Sequence, residues 1–197
     1  MSTPFKVLQS KFILLPQCDI DTDQIVPARF MATTSEEGLA HAFFYDARHD
    51  EAGQKKSDHV LNVKDIADHQ ILVAAANFGC GSSREHAVWA LKDFGFRAVL
   101  TPKAADIFKS NAINNGVLVI EIHQAFYELL SQNQSSSMTI DLEKQTISLL
   151  GAGVSTFQVD SFARRCLLMG TDRLGYLLES LPAIRAFEAA RRLNSTE

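Results

Sequence analysis

From residue 71 onward the chain alternates short apolar runs with amphipathic stretches, and this alternation restricts the fold more than any other feature. Residues 71–75 (Ile-Leu-Val-Ala-Ala) form an apolar run of strand length, 83–94 carries helix-period apolar positions closed by Gly95, and 98–100 is apolar again. Pro102 opens a helix expected over 102–112, since proline suits a first helical turn. Asn114-Asn115-Gly116 then turns the chain into a strand at 117–120, and 124–131 is helical. A β-α-β-α-β-α run calls for a parallel or mixed sheet covered by helices.

The flanks add strands. Residues 5–15 read as one strand or two paired strands ending at Pro16; a carboxylate-rich loop follows over 18–27, then a helix over 38–48 and a polar loop over 49–58. The polar stretch 131–137 is too short for a domain linker, and beyond it 138–142, 146–149 and 157–159 read as strands with a turn at Gly151-Ala152-Gly153. Helices are expected over 161–169, 171–179 and 182–193. The expectation is one α/β domain over 1–197, with β-rich additions at both ends and the helices of 161–193 as an appendage.

Composition narrows the partners. The 197 residues carry 19 Lys plus Arg against 23 Asp plus Glu, a net charge of −4 that asks for neither nucleic acid nor an anionic membrane. Cys18, Cys80 and Cys166 are widely separated, with no Cys-x-x-Cys pair, which argues for a reducing compartment and against a metal or iron–sulfur site made by this chain alone. The start shows no targeting pattern, and no apolar run approaches the ~20 residues of a spanning helix. The expected location is the cytoplasm.

The chemistry-bearing stretch is Asn77-Phe78-Gly79-Cys80-Gly81-Ser82-Ser83-Arg84-Glu85-His86. A buried strand leads into Gly79-x-Gly81, and a helix is expected to begin at Ser82 or Ser83, with Ser82-x-x-Glu85 as a capping box. Two glycines permit unusual backbone and close ligand approach, free N–H groups at a helix start favour anions, and Arg84 supplies a forked donor. Arg84 stands where a dinucleotide fingerprint has its third glycine, and no Gly-Lys-Ser/Thr ending makes a phosphate loop. A carboxylate or phosphate cradle remains, against the plainer alternative of a well-capped strand-to-helix turn.

Asp19-Ile20-Asp21-Thr22-Asp23 opens like a calcium loop, but Gln24 replaces the required glycine and Phe30 the closing glutamate, so its carboxylates are read as partners for loop N–H groups. Cys80 lies where a helix start lowers a thiol pKa, yet no histidine is placed to pair with it. His86, among apolar neighbours, is read as a structural hydrogen-bonder.

Together, Asp21-Thr22-Asp23-Gln24-Ile25-Val26-Pro27 and the 77–86 stretch resemble the small subunit of 3-isopropylmalate dehydratase, a detached swivelling domain of the aconitase superfamily. Similarity continues through Trp89-Ala90-Leu91, Ala105-Asp106-Ile107-Phe108 and Asn114-Asn115 to the C-terminal helices. The resemblance implies a swivelling β/β/α fold and a hydro-lyase of leucine biosynthesis that moves water across a carbon–carbon bond of a 2-hydroxy dicarboxylate. It implies a large subunit holding a [4Fe–4S] cluster that acts as Lewis acid, with no cofactor in this chain. By match, Ser82 is the base, Ser83 and Arg84 bind substrate beside Gly79 and Gly81, and Asp21, Thr22 and Asp23 form the neighbouring loop. The chain departs from the family at Ser35-Glu36-Glu37-Gly38-Leu39, where Glu36 stands in place of an expected arginine; Arg29 is the replacement cation on offer. The same chemistry on methylmalate with citraconate, or on dimethylmalate, is one alternative, and a non-catalytic dicarboxylate-binding module is another.

Overall fold

A computed structural model describes residues 3–63, 65–151 and 153–194. Ala152 of the expected 151–153 turn, and the ends of the 1–197 span, lie outside the described residues. The strands are β1 (Val7–Ser10), β2 (Phe12–Leu15), β3 (Ile71–Ala74), β4 (Ala98–Thr101), β5 (Leu118–Glu121), β6 (Met138–Asp141), β7 (Thr146–Leu149) and β8 (Gly153–Thr156). The helices are α1 (Thr22–Ile25), α2 (Tyr45–Arg48), α3 (Val60–Val63), α4 (Glu85–Phe94), α5 (Asp106–Asn114), α6 (Gln124–Gln132), α7 (Ser161–Met169) and α8 (Arg173–Asn194).

Two four-stranded sheets form: a parallel one in the order β2-β3-β4-β5 and an antiparallel one in the order β1-β6-β7-β8. The parallel sheet is buried on both faces, which is why its strands read as unbroken apolar runs. Strand alternation sends Phe12, Leu14, Ile71, Val73, Leu100 and Ile120 toward Leu8, Met138, Ile140 and Ile147 of the other sheet. It sends Ile13, Leu15, Leu72, Ala74, Val99 and Val119 toward Ala87, Val88 and Leu91 of α4 and Phe108 of α5. The layers are sheet, sheet and helices, the β/β/α order that the family resemblance implies. No helix among the described residues is long and apolar enough to cross a membrane.

Several local expectations are corrected. β1 and β2 do not pair: Lys11 alone separates them, and each joins a different sheet. The 38–48 helix is a 3-10 turn, Ala40–Ala42, and the short α2, broken where Phe44 takes φ +50°. Arg48, buried against Phe94, donates to the Phe43 carbonyl at 2.8 Å and to Asn62 at 2.9 Å, and these bonds fix the break. α5 starts at Asp106, four residues after Pro102, because the Lys103 carbonyl accepts from Asn77 and the Ala105 N–H reaches Phe78, which ties 103–105 to the 77–80 loop. The last strand lies at 153–156 rather than 157–159; Phe157 is instead a buried plug.

At the C-terminus, α7 belongs to the body, with Ala163, Cys166 and Leu167 buried and the Leu167 carbonyl accepting from Phe5. The helices expected over 171–179 and 182–193 are one, α8, with Pro182 inside it. A proline removes a single backbone bond to the preceding turn, and here it does not end the helix.

Candidate functional site

Three connections leave the carboxyl ends of adjacent parallel strands: 16–21 after β2, 75–84 after β3 and 102–105 after β4. This edge is where open α/β sheets place ligands. The 75–84 connection is stitched on both sides. The Gly79 N–H donates to the Ile20 carbonyl at 2.8 Å, Asp21 and Cys80 form a parallel bridge, and Phe78 bridges Ala104. Thr22, itself buried, donates its backbone N–H to Cys80 and its hydroxyl to the Ser82 carbonyl, both at 3.0 Å. The Asp21-Thr22-Asp23 segment therefore clasps the glycine loop.

The backbone of that loop is unusual in the left-handed sense. Asn77, Gly79 and Gly81 have φ of +64°, +76° and +86°. Asn77 also bonds through Nδ2 to Asp19 at 2.8 Å, and Asp19 has positive φ too. Asn and Asp tolerate this region better than other side chains do, which is the signal that would have marked this pair in the sequence.

The helix start differs from the expectation. α4 begins at Glu85 with Arg84 as its N-cap, no side chain caps it, and the Ser82-x-x-Glu85 capping box does not form. Glu85 instead accepts from Asn115 Nδ2 at 2.8 Å, while Asn115 Oδ1 accepts from Trp89 at 3.0 Å. Asn115 is buried and braces the first turn of α4, a role that neither its place in a turn nor its place in the family resemblance made visible. The capping box lies across the cleft, where Asp21 accepts from the Gln24 N–H at 2.7 Å. Ser82 and Ser83 are therefore free of capping duty: both are exposed, and neither hydroxyl has a partner among the described residues.

Arg84 is half-buried and ion-paired with Asp23, so Gly79, Gly81, Ser82, Ser83, Arg84, Asp21, Thr22 and Asp23 form one assembly. Arg29 makes its contacts elsewhere, paired with Asp46 and stacked over Phe30 and Tyr45. Burial, then the carboxylates of Asp21 and Asp19, push the Cys80 thiol above its ordinary value, which opposes thiolate chemistry there. Segment 33–40 lies along α4: His86 Nε2 bonds the Thr33 carbonyl at 2.9 Å, the Ala40 N–H reaches Asp93 at 2.7 Å, and Glu36 pairs with Lys92 at 3.6 Å. Glu36 thus has a cation of its own. No group of three or more His, Cys, Asp or Glu suited to a metal occurs among the described residues, and Cys18, Cys80 and Cys166 are exposed, half-buried and buried respectively.

The Aconitase C-terminal domain profile matches residues 5–125. The chain is 46% identical to the 3-isopropylmalate dehydratase small subunit of Roseiflexus sp. (strain RS-1), covering 95% of this chain and 94% of that one. It is 45% identical to the protein of the same name from Anaeromyxobacter dehalogenans (strain 2CP-C), over 96% and 99% of the two chains. It also resembles the crystal structure of 3-isopropylmalate dehydratase (leuD) from Methanocaldococcus jannaschii, with a TM-score of 0.67, 28% identity and coverage of 92% and 99%.

Proposed function

The chain belongs to the 3-isopropylmalate dehydratase small-subunit family of the aconitase superfamily, and from that premise we propose how its own residues take part in the reaction. As a small subunit of a heteromeric hydro-lyase it serves the interconversion of 2-isopropylmalate and 3-isopropylmalate in leucine biosynthesis. Ser82 is the base. Its oxygen takes the proton from the carbon beside a substrate carboxylate; the hydroxyl on the neighbouring carbon leaves with its bonding electrons, and a double bond forms between the two carbons. Rehydration with the opposite placement of H and OH returns the proton from Ser82.

The observation that carries this reading is the uncapped start of α4 at Glu85, three residues after Ser82, whose hydroxyl has no partner among the described residues. A serine oxygen is a usable base only where its anion is strongly stabilised. Unsatisfied N–H groups at the start of a ten-residue helix, its dipole and the nearby Arg84 guanidinium supply preorganised positive potential of that kind. Arg84 binds a substrate carboxylate, with Ser83 as a further donor; Asp23 holds the guanidinium against the loop until a second carboxylate shares or replaces it. This chain's residues do not fit an iron–sulfur cluster, and we assign the [4Fe–4S] group to the large subunit, where it supplies Lewis acidity toward the leaving hydroxyl.

Mixing this chain with the 3-isopropylmalate dehydratase large subunit of the same organism, loaded with its cluster anaerobically, tests the proposal. Isopropylmalate turnover is expected only in the mixture; equal turnover by this chain alone overturns it. Because Glu36 is engaged by Lys92 on α4, Glu36→Gln is expected to change KM for isopropylmalate less than about threefold, the small scale of exposed ion pairs. A tenfold fall in KM in steady-state assays would instead place the Glu36 charge against the substrate.

A further inference from the structure

The helix α8 carries a surface that the body of the molecule does not use. From Pro182 to Arg191 every residue is exposed, and earlier in the helix only Gly175, Tyr176, Ser180 and Leu181 are half-buried. At its first turns Tyr176 stacks edge-on against Phe162 at 5.0 Å and lies beneath Arg165. Yet Leu174, Leu177, Leu178, Leu181 and Ile184 follow the three-and-four spacing of a single helix face, and Phe187 extends it. Leu174, Leu178 and Phe187 are 64%, 59% and 67% exposed. A helix standing in water gains little from propensity alone, and helical stability comes mostly from packing of an apolar face.

Resting on the small-subunit reading above, we propose that this face is a docking patch for the large subunit, separate from the catalytic loop. Two observations choose that occupant. The 22 residues give a helix about 33 Å long, and a face about 10 Å wide offers roughly 350 Å². A stable interface needs about 800 Å² from each partner, so two copies of this chain paired through α8 alone fall short. A large subunit that also covers the 79–84 loop adds the area of that loop to that of the helix face. A groove of about 180 Å³, lined by Glu36, Lys92, Thr171, Asp172 and Gly175, separates the last turn of α4 from the start of α8. The aconitase C-terminal domain profile stops at residue 125, whereas the small-subunit relatives align over 95–96% of the chain. Most of α8 therefore lies within the length that the small-subunit relatives align with and beyond the domain profile.

The test is the dissociation constant between this full chain and the cluster-loaded large subunit, measured by anaerobic calorimetry, together with kcat at saturating large subunit. The double variant Leu178→Glu/Phe187→Glu is expected to weaken association at least tenfold, with kcat within twofold of the parent and unchanged helix content by circular dichroism. Phe187→Ala, a milder change, is expected to weaken it at least threefold. Association within twofold of the parent for both variants overturns the proposal. A parent chain that sediments as a dimer, and a double variant that sediments as a monomer, overturns it in favour of self-association. If the parent chain itself fails to bind the large subunit, the small-subunit reading falls as well, and the two failures are thereby told apart.

Discussion

Replacing Ser82 by alanine is expected to lower kcat of the reconstituted dehydratase about 10³-fold, the middle of the range for loss of a general base, while leaving the fold intact. The second half of that expectation comes from the structure. Ser82 is exposed, its hydroxyl bonds to nothing among the described residues, and its backbone carbonyl accepts from Thr22. An alanine keeps that carbonyl. Surface changes of this type fall within about 0.5 kcal/mol of neutral, so thermal unfolding of the isolated chain should be unmoved. KM should change little, because Arg84 and Ser83 remain to bind the carboxylate. A variant retaining more than a tenth of parental kcat would show that another group takes the proton. The capping-box reading makes the opposite forecast: a serine that capped α4 would be structural, and its loss would cost about 1 kcal/mol of stability.

That contrast shows where the sequence was legible and where it was not. The parallel sheet was visible because burial on both faces leaves continuous apolar runs at 71–75, 98–100 and 117–120, a signal set by local composition. The order of motifs was visible as well: a strand, two glycines and a helix at the carboxyl edge. The separation of β1 from β2 was not, since a single residue, Lys11, carries the chain from one sheet to the other, and which sheet accepts each strand is decided by residues more than fifty positions away. The cap of α4 was misread for a related reason. Ser82-x-x-Glu85 satisfies the local pattern, but Asn115 takes the Glu85 carboxylate from across the α4–α5 contact and Thr22 holds the Ser82 carbonyl from the facing loop. Tertiary partners outbid a local cap, and the result leaves a serine free. The pairing of Arg84 with Asp23 was likewise beyond a linear reading, although both residues had been singled out separately.

Gly79→Ala is expected to lose far more stability than Gly81→Ala, and the reason lies in what a Cβ meets at each position. Gly79 has φ +76°, and a Cβ there meets the ring of Phe108, with Cβ and Cδ2 at 2.6 and 2.7 Å. That ring cannot retreat easily, since it packs edge-on against Phe78 at 5.2 Å and is buried in the core between sheet and helices. Left-handed backbone costs an L-residue about 1–2 kcal/mol, and overpacking a core adds about 1–3 kcal/mol, so about 2–5 kcal/mol is lost. For a chain of this size that lowers Tm by about 10 °C, at roughly 2–4 °C per kcal/mol. Gly81 has φ +86°, but its Cβ finds only ordinary contacts, Asp21 at 3.4 Å and Thr22 at 3.7 Å. Gly81→Ala should therefore lose only the backbone part, about 1–2 kcal/mol. Thermal unfolding of the two variants of the isolated chain checks the ordering, and equal Tm values would mean that Phe108 yields. The comparison bears on catalysis too, because Gly79 fixes the path by which the chain leaves β3 and delivers Ser82 to the head of α4. A variant that displaces Phe108 is expected to disturb the Ala105 N–H bond to the Phe78 carbonyl, one of the bonds that tie the loop to the 102–105 connection. Residual Gly79→Ala protein that folds at low temperature should accordingly show depressed kcat, while Gly81→Ala, with its clasp to Thr22 in place, should lose mainly stability.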